Sequence, residues 1–404
     1  MLGAMTDRPD PTEVPDPTEV PDRTEAVSRT DAPARPGPPR TEVMPGSGPA
    51  RGIGRRGLLR WGGLATTGLV TVGASPAAGA PPRAARTGRA DPSPAGTAPT
   101  SGLARASRDR IPPDTLPGGA YDRYVAQLAA GGRFSGVVLL SHAGRTVLSR
   151  SYGMADQEKG IPNGEGIAFT LSSAGKTFHA VAVLQLAQQG RLRLTDTVGD
   201  HLTGFSADVA QQVTIHHLLS GTSGTGLPDE DVQRVFHSRD EVHAYHEQRV
   251  RRVKLVGVPG LPDTAHAEAE VTLCALIVEA VTGTTYWDYV QDNVFTRGGM
   301  TRSGFFTRPR WLTDAHLAHP YMTVPGGAVV DAVRHLDAGS SRPEVLGKNP
   351  GRAFIDAPGD GGFATAPDLV RFGRALLDGT LLDPAWADGL TAAKQPHWPA
   401  SFGA

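Results

Sequence analysis

The sequence predicts an α/β fold of the mixed α+β kind, and three of its features carry the prediction. One helical period and two β-branched runs open the globular part, an apolar helix follows, and most of the remainder has helical spacing broken by Gly- and Pro-rich loops. Tyr121 to Ala130 puts Tyr121, Tyr124, Val125 and Leu128 on one face, which predicts a helix. Gly136 to Ser141 and Arg145 to Tyr152 flank the short turn His142-Ala143-Gly144, which predicts a hairpin. Phe178, Val181, Leu184 and Ala187 then form one apolar stripe running up to Gly190, a predicted C-cap. Further helices are predicted around Ile215 to Leu219, Val232 to Val250, Val271 to Val281, Tyr286 to Phe295 and Ala366 to Leu377. The only repeat is a hexapeptide near the front, and no stretch is long enough to span a membrane.

The front of the chain is built differently. Residues 1–50 read as a disordered tail, because Pro9 to Ala26 repeats PDPTEV, PDPTEV, PDRTEA and offers no apolar face to bury. Residues 51–80 read as an export signal of the twin-arginine type. There Arg55-Arg56 and the two leucines behind them precede a weakly apolar stretch from Trp61 to Ala74, and small residues follow. That stretch falls short of the roughly 20 strongly apolar residues of a spanning helix, so cleavage is expected, with no stable membrane span afterwards. Residues 81–115 read as a flexible linker, and residues 116–404 as the folded domain. The expected destination is outside the cytoplasm: periplasmic, extracellular or attached to the cell wall.

Composition narrows the function little. Lys and Arg total 40 against 41 for Asp and Glu, so the net charge of -1 points to no nucleic-acid or membrane-surface partner. The lone Cys274 excludes an internal disulfide and a thiolate metal cluster, and its apolar run places it in the core. His216 and His217 are adjacent and would face different sides of a helix. His243 and His246 are one residue short of the zinc-protease spacing and are expected as surface histidines on a polar helix. No metal and no cofactor is predicted.

Chemistry enters at Ser173 and Lys176. A serine hydroxyl is a poor nucleophile at neutral pH and needs a base within hydrogen-bond reach. Residues three apart at the start of a helix share a face, so the Lys176 amine can lie beside the Ser173 oxygen. Burial disfavours an ammonium, which favours the amine as a base. The helix start adds its dipole, and the Ser173 backbone N–H is a donor for an oxyanion. Taken alone, Ser-x-x-Lys fits an N-cap serine and a solvated lysine equally well.

Four segments extend the pattern: SSAGKTF with QLAQQGRLRLTD inside Phe169 to Asp196, VTIHHLLSGTSG from Val213 to Gly224, IVEAVTG and GGM inside Leu276 to Met300, and GDGGFATAPDLVRFGRALLDG from Gly359 to Gly379. Their text and order resemble the serine β-lactamase-like family, which includes class C β-lactamases, D-alanyl-D-alanine peptidases and related esterases. The resemblance implies an α/β sandwich with an inserted helical subdomain and the nucleophile in the groove between them. It also implies acyl transfer on a small-molecule or peptide substrate: a β-lactam, a D-alanyl peptide or a small ester.

The sequence departs from the family pattern in three places. Where relatives carry Tyr-x-Asn, counting places His266-Ala267-Glu268 or the triplet one residue earlier; His266 is the candidate substitute acid or base, and an exposed loop histidine is the alternative. The family's His-Thr-Ser-Gly is Gly221-Thr222-Ser223-Gly224 here, a change expected to be structural. Relatives end with a strand bearing Lys-Thr-Gly or His-x-Gly, and this sequence stops at Ala404, so the C-terminal sheet strands are expected to be missing; Lys394-Gln395-Pro396 is no substitute. A non-catalytic cell-wall-binding or interaction protein, or an inactive fragment, is therefore the alternative to an enzyme. Oligomeric state is not set by the sequence.

Overall fold

The computed structural model describes residues 110–261, 268–352, 358–359 and 361–392. His266, Lys394-Gln395-Pro396 and everything before Arg110 lie outside the described residues.

Helix α1 (Ala120–Ala130) and the hairpin β1 (Gly136–His142) and β2 (Arg145–Tyr152) open the domain as the sequence predicts. The strands pair antiparallel from Gly136↔Tyr152 to His142↔Arg145, with a bulge at Leu140/Ser141. Ala143 (φ 48°) and Gly144 (φ 77°) close the hairpin, two left-handed residues whose twist matches that of the strands. Asp122 accepts from Arg150 Nε (2.9 Å) and Nη2 (2.8 Å), a fork that ties α1 to β2.

Short strands β3 (Met154–Asp156) and β4 (Ile161–Pro162) pair next, followed by β5 (Phe169–Thr170). Helix α2 (Lys176–Gln188) runs through the centre of the core. The stripe predicted for it proves too narrow. Ala180, Val183 and Leu186 are as buried as Phe178, Val181 and Leu184, because other elements cover every side of the helix. Gly190 ends the helix in a left-handed conformation (φ 70°): its N–H bonds Ala187 O (2.9 Å) and the Arg191 N–H bonds Leu186 O (3.0 Å), the two bonds of a Schellman cap.

Helices α3 (Val198–His201), α4 (Ala207–Gln212) and α5 (Ile215–Ser220) lead to β6 (Thr225–Gly226). The helix expected over Val232 to Val250 begins only at α6 (Arg239–Val250). Ser238 caps it by accepting from the Glu241 N–H (3.1 Å), while the Glu241 carboxylate accepts from the His237 N–H (2.8 Å). Strand β7 (Lys254–Leu255) pairs with β6, and α7 (Glu268–Thr282) carries the buried Cys274. Helix α8 (Tyr286–Val290) was expected to continue to Phe295 as α-helix, but widens into a π turn over Gln291–Thr296. The reason lies in α2: buried Gln185 donates to Asn293 O (3.0 Å) and Leu381 O (3.1 Å), and accepts from the Tyr289 hydroxyl (3.3 Å). A π turn releases backbone carbonyls for such a partner.

Helix α9 (Arg308–Thr313), the pair β8 (Tyr321–Thr323) and β9 (Val329–Asp331), strand β10 (Phe363–Ala364), and helices α10 (Ala366–Leu377) and α11 (Pro384–Thr391) complete the described chain. Helix α10 has its predicted bounds and packs on β1. Phe178 of α2 meets Phe295 (4.9 Å) and Phe372 (5.1 Å) edge-on, which joins the π turn, α2 and α10. Among the described residues every strand pairing has two strands, and no helix is long and apolar enough to cross a membrane.

Two glycines, buried Gly175 and exposed Gly190, set a stability test. A Cβ on Gly175 would meet the backbone of Gly361, with its N at 2.8 Å, where neither chain can yield; Gly190 has nothing within 4 Å. Gly175→Ala is expected to cost about 3 kcal/mol through overpacking, and Gly190→Ala about 1 kcal/mol through its left-handed backbone alone. Urea unfolding of both variants measures the difference.

Candidate active site

Strand β5 pairs antiparallel with β10, Thr170 opposite Phe363 and Phe169 opposite Ala364. The ladder continues past the strands: the Leu171 N–H donates to Gly362 O (2.9 Å) and the Gly361 N–H to Ser172 O (3.3 Å). Ser172 is held at φ 46°, a left-handed value that a side chain resists. A 3-10 turn then covers Ser172–Gly175, and α2 starts at Lys176. Ser173 therefore stands one turn ahead of the α-helix and not in its first turn. A 3-10 turn has three residues and eclipses positions i and i+3, which brings Ser173 and Lys176 closer than an α-turn would. Lys176 Nζ lies 2.7 Å from Ser173 Oγ. Ser173 is exposed and Lys176, 6% exposed, sits beneath it. The Ser173 backbone N–H belongs to the first donors of a helical turn, which have no partner within the turn.

Both residues line a groove of about 520 Å³. Its walls come from distant parts of the chain: the segment 230–236, His246 of α6, the start of α7, Tyr321 and Met322 of β8, and the loop 340–352. Arg352 holds the last of these in place by donating to Leu336 O (3.0 Å) and Val232 O (2.6 Å). Carboxylates of the groove are largely answered, Glu268 by Arg249 (2.8 Å) and Glu230 by Lys348 (3.5 Å). Tyr321 keeps its hydroxyl on the Gln157 N–H (2.7 Å).

Two histidines buried near the pair were not legible as such. His179, one turn beyond Lys176, bonds the Gly359 backbone; burial first, and then the nearby Lys176 charge, push it down to about 3. His246 was expected on the surface, but it is buried, its ring stacked on Phe236 at 6.3 Å and edged by Tyr245 at 5.0 Å. Burial and the Arg249 charge push it down to about 4. Its neighbour on the helix, His243, is half-buried and bonds Glu279 (2.7 Å), which raises it. The surface reading of both is thereby corrected: α6 is polar in composition, yet it is packed on α7 and the 230–236 segment.

Thr222 and Ser223 are also buried. Ser223 Oγ meets Thr225 Oγ1 (2.6 Å) and its N–H donates to Glu270 (3.1 Å), which fastens the end of α5 to α7. Elsewhere, Asp156, His319 and Asp331 are close enough to hold a cation, but the Arg334 guanidinium bonds both carboxylates. Burial alone would raise the Asp156 carboxyl; hydrogen bonds from Arg334 and the Lys159 N–H outweigh it and hold Asp156 at about 2. This knot anchors the β8–β9 wall of the groove.

The model of the Beta-lactamase family matches residues 121–404. The chain belongs to this family. A penicillin-binding protein of Bacillus subtilis (strain 168) is 30% identical over 261 residues, 63% of this chain and 54% of that protein. The chain spans about half the length of the curated relatives it matches. A penicillin-binding protein from Bacillus halodurans shares its structure at a TM-score of 0.56 and 26% identity, over 69% of this chain and 81% of that one. EstCE1, described as a hydrolase with promiscuous acyltransferase activity, shares the fold at a TM-score of 0.55 and 23% identity, over 70% of this chain and 83% of that one. The fold is thus the α/β fold of beta-lactamases and penicillin-binding proteins, and the family is one of serine hydrolases.

For a member of this family with two neutral histidines in its interior, stability depends on pH with a definite sign. Both have folded-state values below the ordinary 6.5, so below that pH the unfolded chain binds protons that the folded chain does not. Their stabilisation is full above about pH 6.5 and is lost as pH falls toward 3, by on the order of 1 kcal/mol per pH unit for each histidine. Urea midpoints at pH 7, 6 and 5 should fall in turn, and His179→Gln should flatten the decline.

Proposed function

We propose that the chain is an exported serine hydrolase that works by acyl transfer, with Ser173 as nucleophile and Lys176 as its base. The observation that supports it most is the 2.7 Å approach of a buried amine to an exposed serine hydroxyl on the floor of a groove. Ser173 Oγ attacks the carbonyl carbon of an amide or ester while Lys176 takes the hydroxyl proton. The Ser173 N–H stabilises the oxyanion of the tetrahedral intermediate. Collapse breaks the bond to the leaving group, which takes the proton from Lys176, and water later releases the acyl group and restores the serine. A binding protein that kept only the groove would have no use for an amine held against a hydroxyl.

The penicillin-binding names of the relatives favour a β-lactam or D-alanyl peptide as acyl donor, with small esters as a third class. A fluorescent penicillin or fluorophosphonate is expected to label the full chain covalently, and Ser173→Ala to lose the label. Lys176→Ala should slow labelling by about 10² to 10⁴-fold with Ser173 intact. Absence of labelling in folded wild-type protein, established by a cooperative melt, would sink the enzyme reading.

Export is proposed from the layout of residues 51–80 as a twin-arginine signal, ahead of the linker at 81–115 and the hydrolase domain at 116–404. Replacing Arg55 and Arg56 together by lysine should hold a secreted reporter fusion inside the cell. A reporter exported equally well by both versions would refute this route.

A further inference from the structure

Groove-lining His246 is a polar side chain with no assigned task. It is only 6% exposed, on a helix whose neighbouring groups are otherwise partnered: His243 by Glu279 and Arg249 by Glu268. Neither of its ring nitrogens has a hydrogen-bond partner among the described residues, and neither is among the fully sealed polar atoms. The open space beside the ring is the groove that holds Ser173 and Lys176. Stacking on Phe236 and the edge of Tyr245 fix the ring plane, so the imidazole is oriented before any ligand arrives.

Leaving a buried polar group unpaired is costly, and the cost is removed when a ligand supplies the partner. A neutral imidazole offers one N–H donor and one bare nitrogen acceptor. An amide unit offers the complement, a carbonyl oxygen and an N–H. A carboxylate could use only the donor, and a plain alkyl chain neither. Phe236 stacks on the ring, and Val232 and Met322 line the same groove beside charged Arg234, Glu268 and Arg342, a mixed lining that suits a chain with both apolar and polar parts.

We propose that His246 is a substrate-binding residue of this groove that recognises an amide group in the acyl donor, away from the bond that is broken. This deepens the acyl-transfer reading and rests on the same groove. It makes amide-bearing donors the favoured class over simple alkyl esters. Sites built to hydrogen-bond a substrate reject analogues that lack the group far more strongly than apolar pockets reject a missing methylene.

The test has two arms. In the first, full-length Ser173→Ala protein is titrated calorimetrically with N-acetyl-glycine methylamide and with N-acyl-D-alanyl-D-alanine, which requires no turnover. His246→Phe, which keeps the ring volume and stacking, is expected to weaken binding of at least one of them tenfold or more, and His246→Gln to restore part of it. In the second, the chain with Ser173 intact is given matched p-nitrophenyl esters of N-acylglycine and of the equally long alkanoic acid. His246→Phe should raise KM for the amide-bearing ester at least ten times more than for its partner, with kcat changed far less. A variant that melts like the wild type, binds both ligands equally well and keeps the wild-type preference would overturn the proposal. If neither ester is turned over yet binding still depends on His246, the acyl-transfer reading fails and the amide site stands. If His246→Phe does not fold, the His246→Gln and His246→Ala pair decides: a folded alanine variant that binds as tightly as the glutamine one overturns it.

Discussion

The geometry of this molecule depends on one close approach of two backbones. Gly361 lies against Gly175 with no room for a side chain between them, and the same stretch bonds Leu171 and Ser172. Gly359, on the other side, presses on Val271 of α7, whose carbonyl oxygen stands 2.6 Å from where a Cβ would be. The segment is wedged between the serine turn and α7, and only glycine permits it. The wedge holds Ser172 at its left-handed φ, starts the 3-10 turn, and thereby eclipses Ser173 with Lys176. Nothing in the side chains of Ser173 or Lys176 would by itself bring about that alignment.

Around this wedge the fold handles buried polarity in two ways. Fixed groups are answered by fixed partners: Gln185 by three neighbours, Asp368 by the Arg302 N–H (2.8 Å) and Ser303 hydroxyl (2.9 Å), and Arg352 by a ring of carbonyls. Each removes a desolvation cost and sets a register between segments far apart in sequence. Two buried histidines are left partly unanswered. Among the described residues, His179 leaves Nδ1 without a partner, and the ring of His246, which lines the groove, makes no hydrogen bond. Both are held below the ordinary histidine range chiefly by burial, which disfavours the charged ring.

How much of this was legible in the sequence follows the range of the interactions. Helix α1, the hairpin and α10 were read almost to the residue because period and turn chemistry are local. The start of α6 was read too early, although Ser238 and Glu241 carry a capping signal that could have placed it. The π turn after α8 was not legible, since its cause is Gln185, over 100 residues away. The Ser-x-x-Lys pair could be named from spacing, but its 3-10 geometry depends on Gly361. His246 was hidden for a related reason: the composition of α6 is that of a surface helix, and it is the packing of α7 and of Phe236 against it that makes the difference.

That contrast bears on how a groove of this kind gains selectivity. Ser173 and Lys176 sit on consecutive turns of one segment, so their geometry is set once, by the wedge, and leaves little to vary. The walls are assembled from loops held by separate fastenings: Arg352 for the loop 340–352, Arg334 and its two aspartates for β8–β9, Arg249 and Glu268 for α6 and α7. Each fastening joins parts of the chain that lie far in sequence from the serine turn. On the proposed acyl-transfer reading, selectivity for the acyl donor would lie with wall residues such as His246, and reactivity with the glycine wedge. Such a division would make the buried, oriented His246 a better guide to substrate than Ser173, the proposed nucleophile.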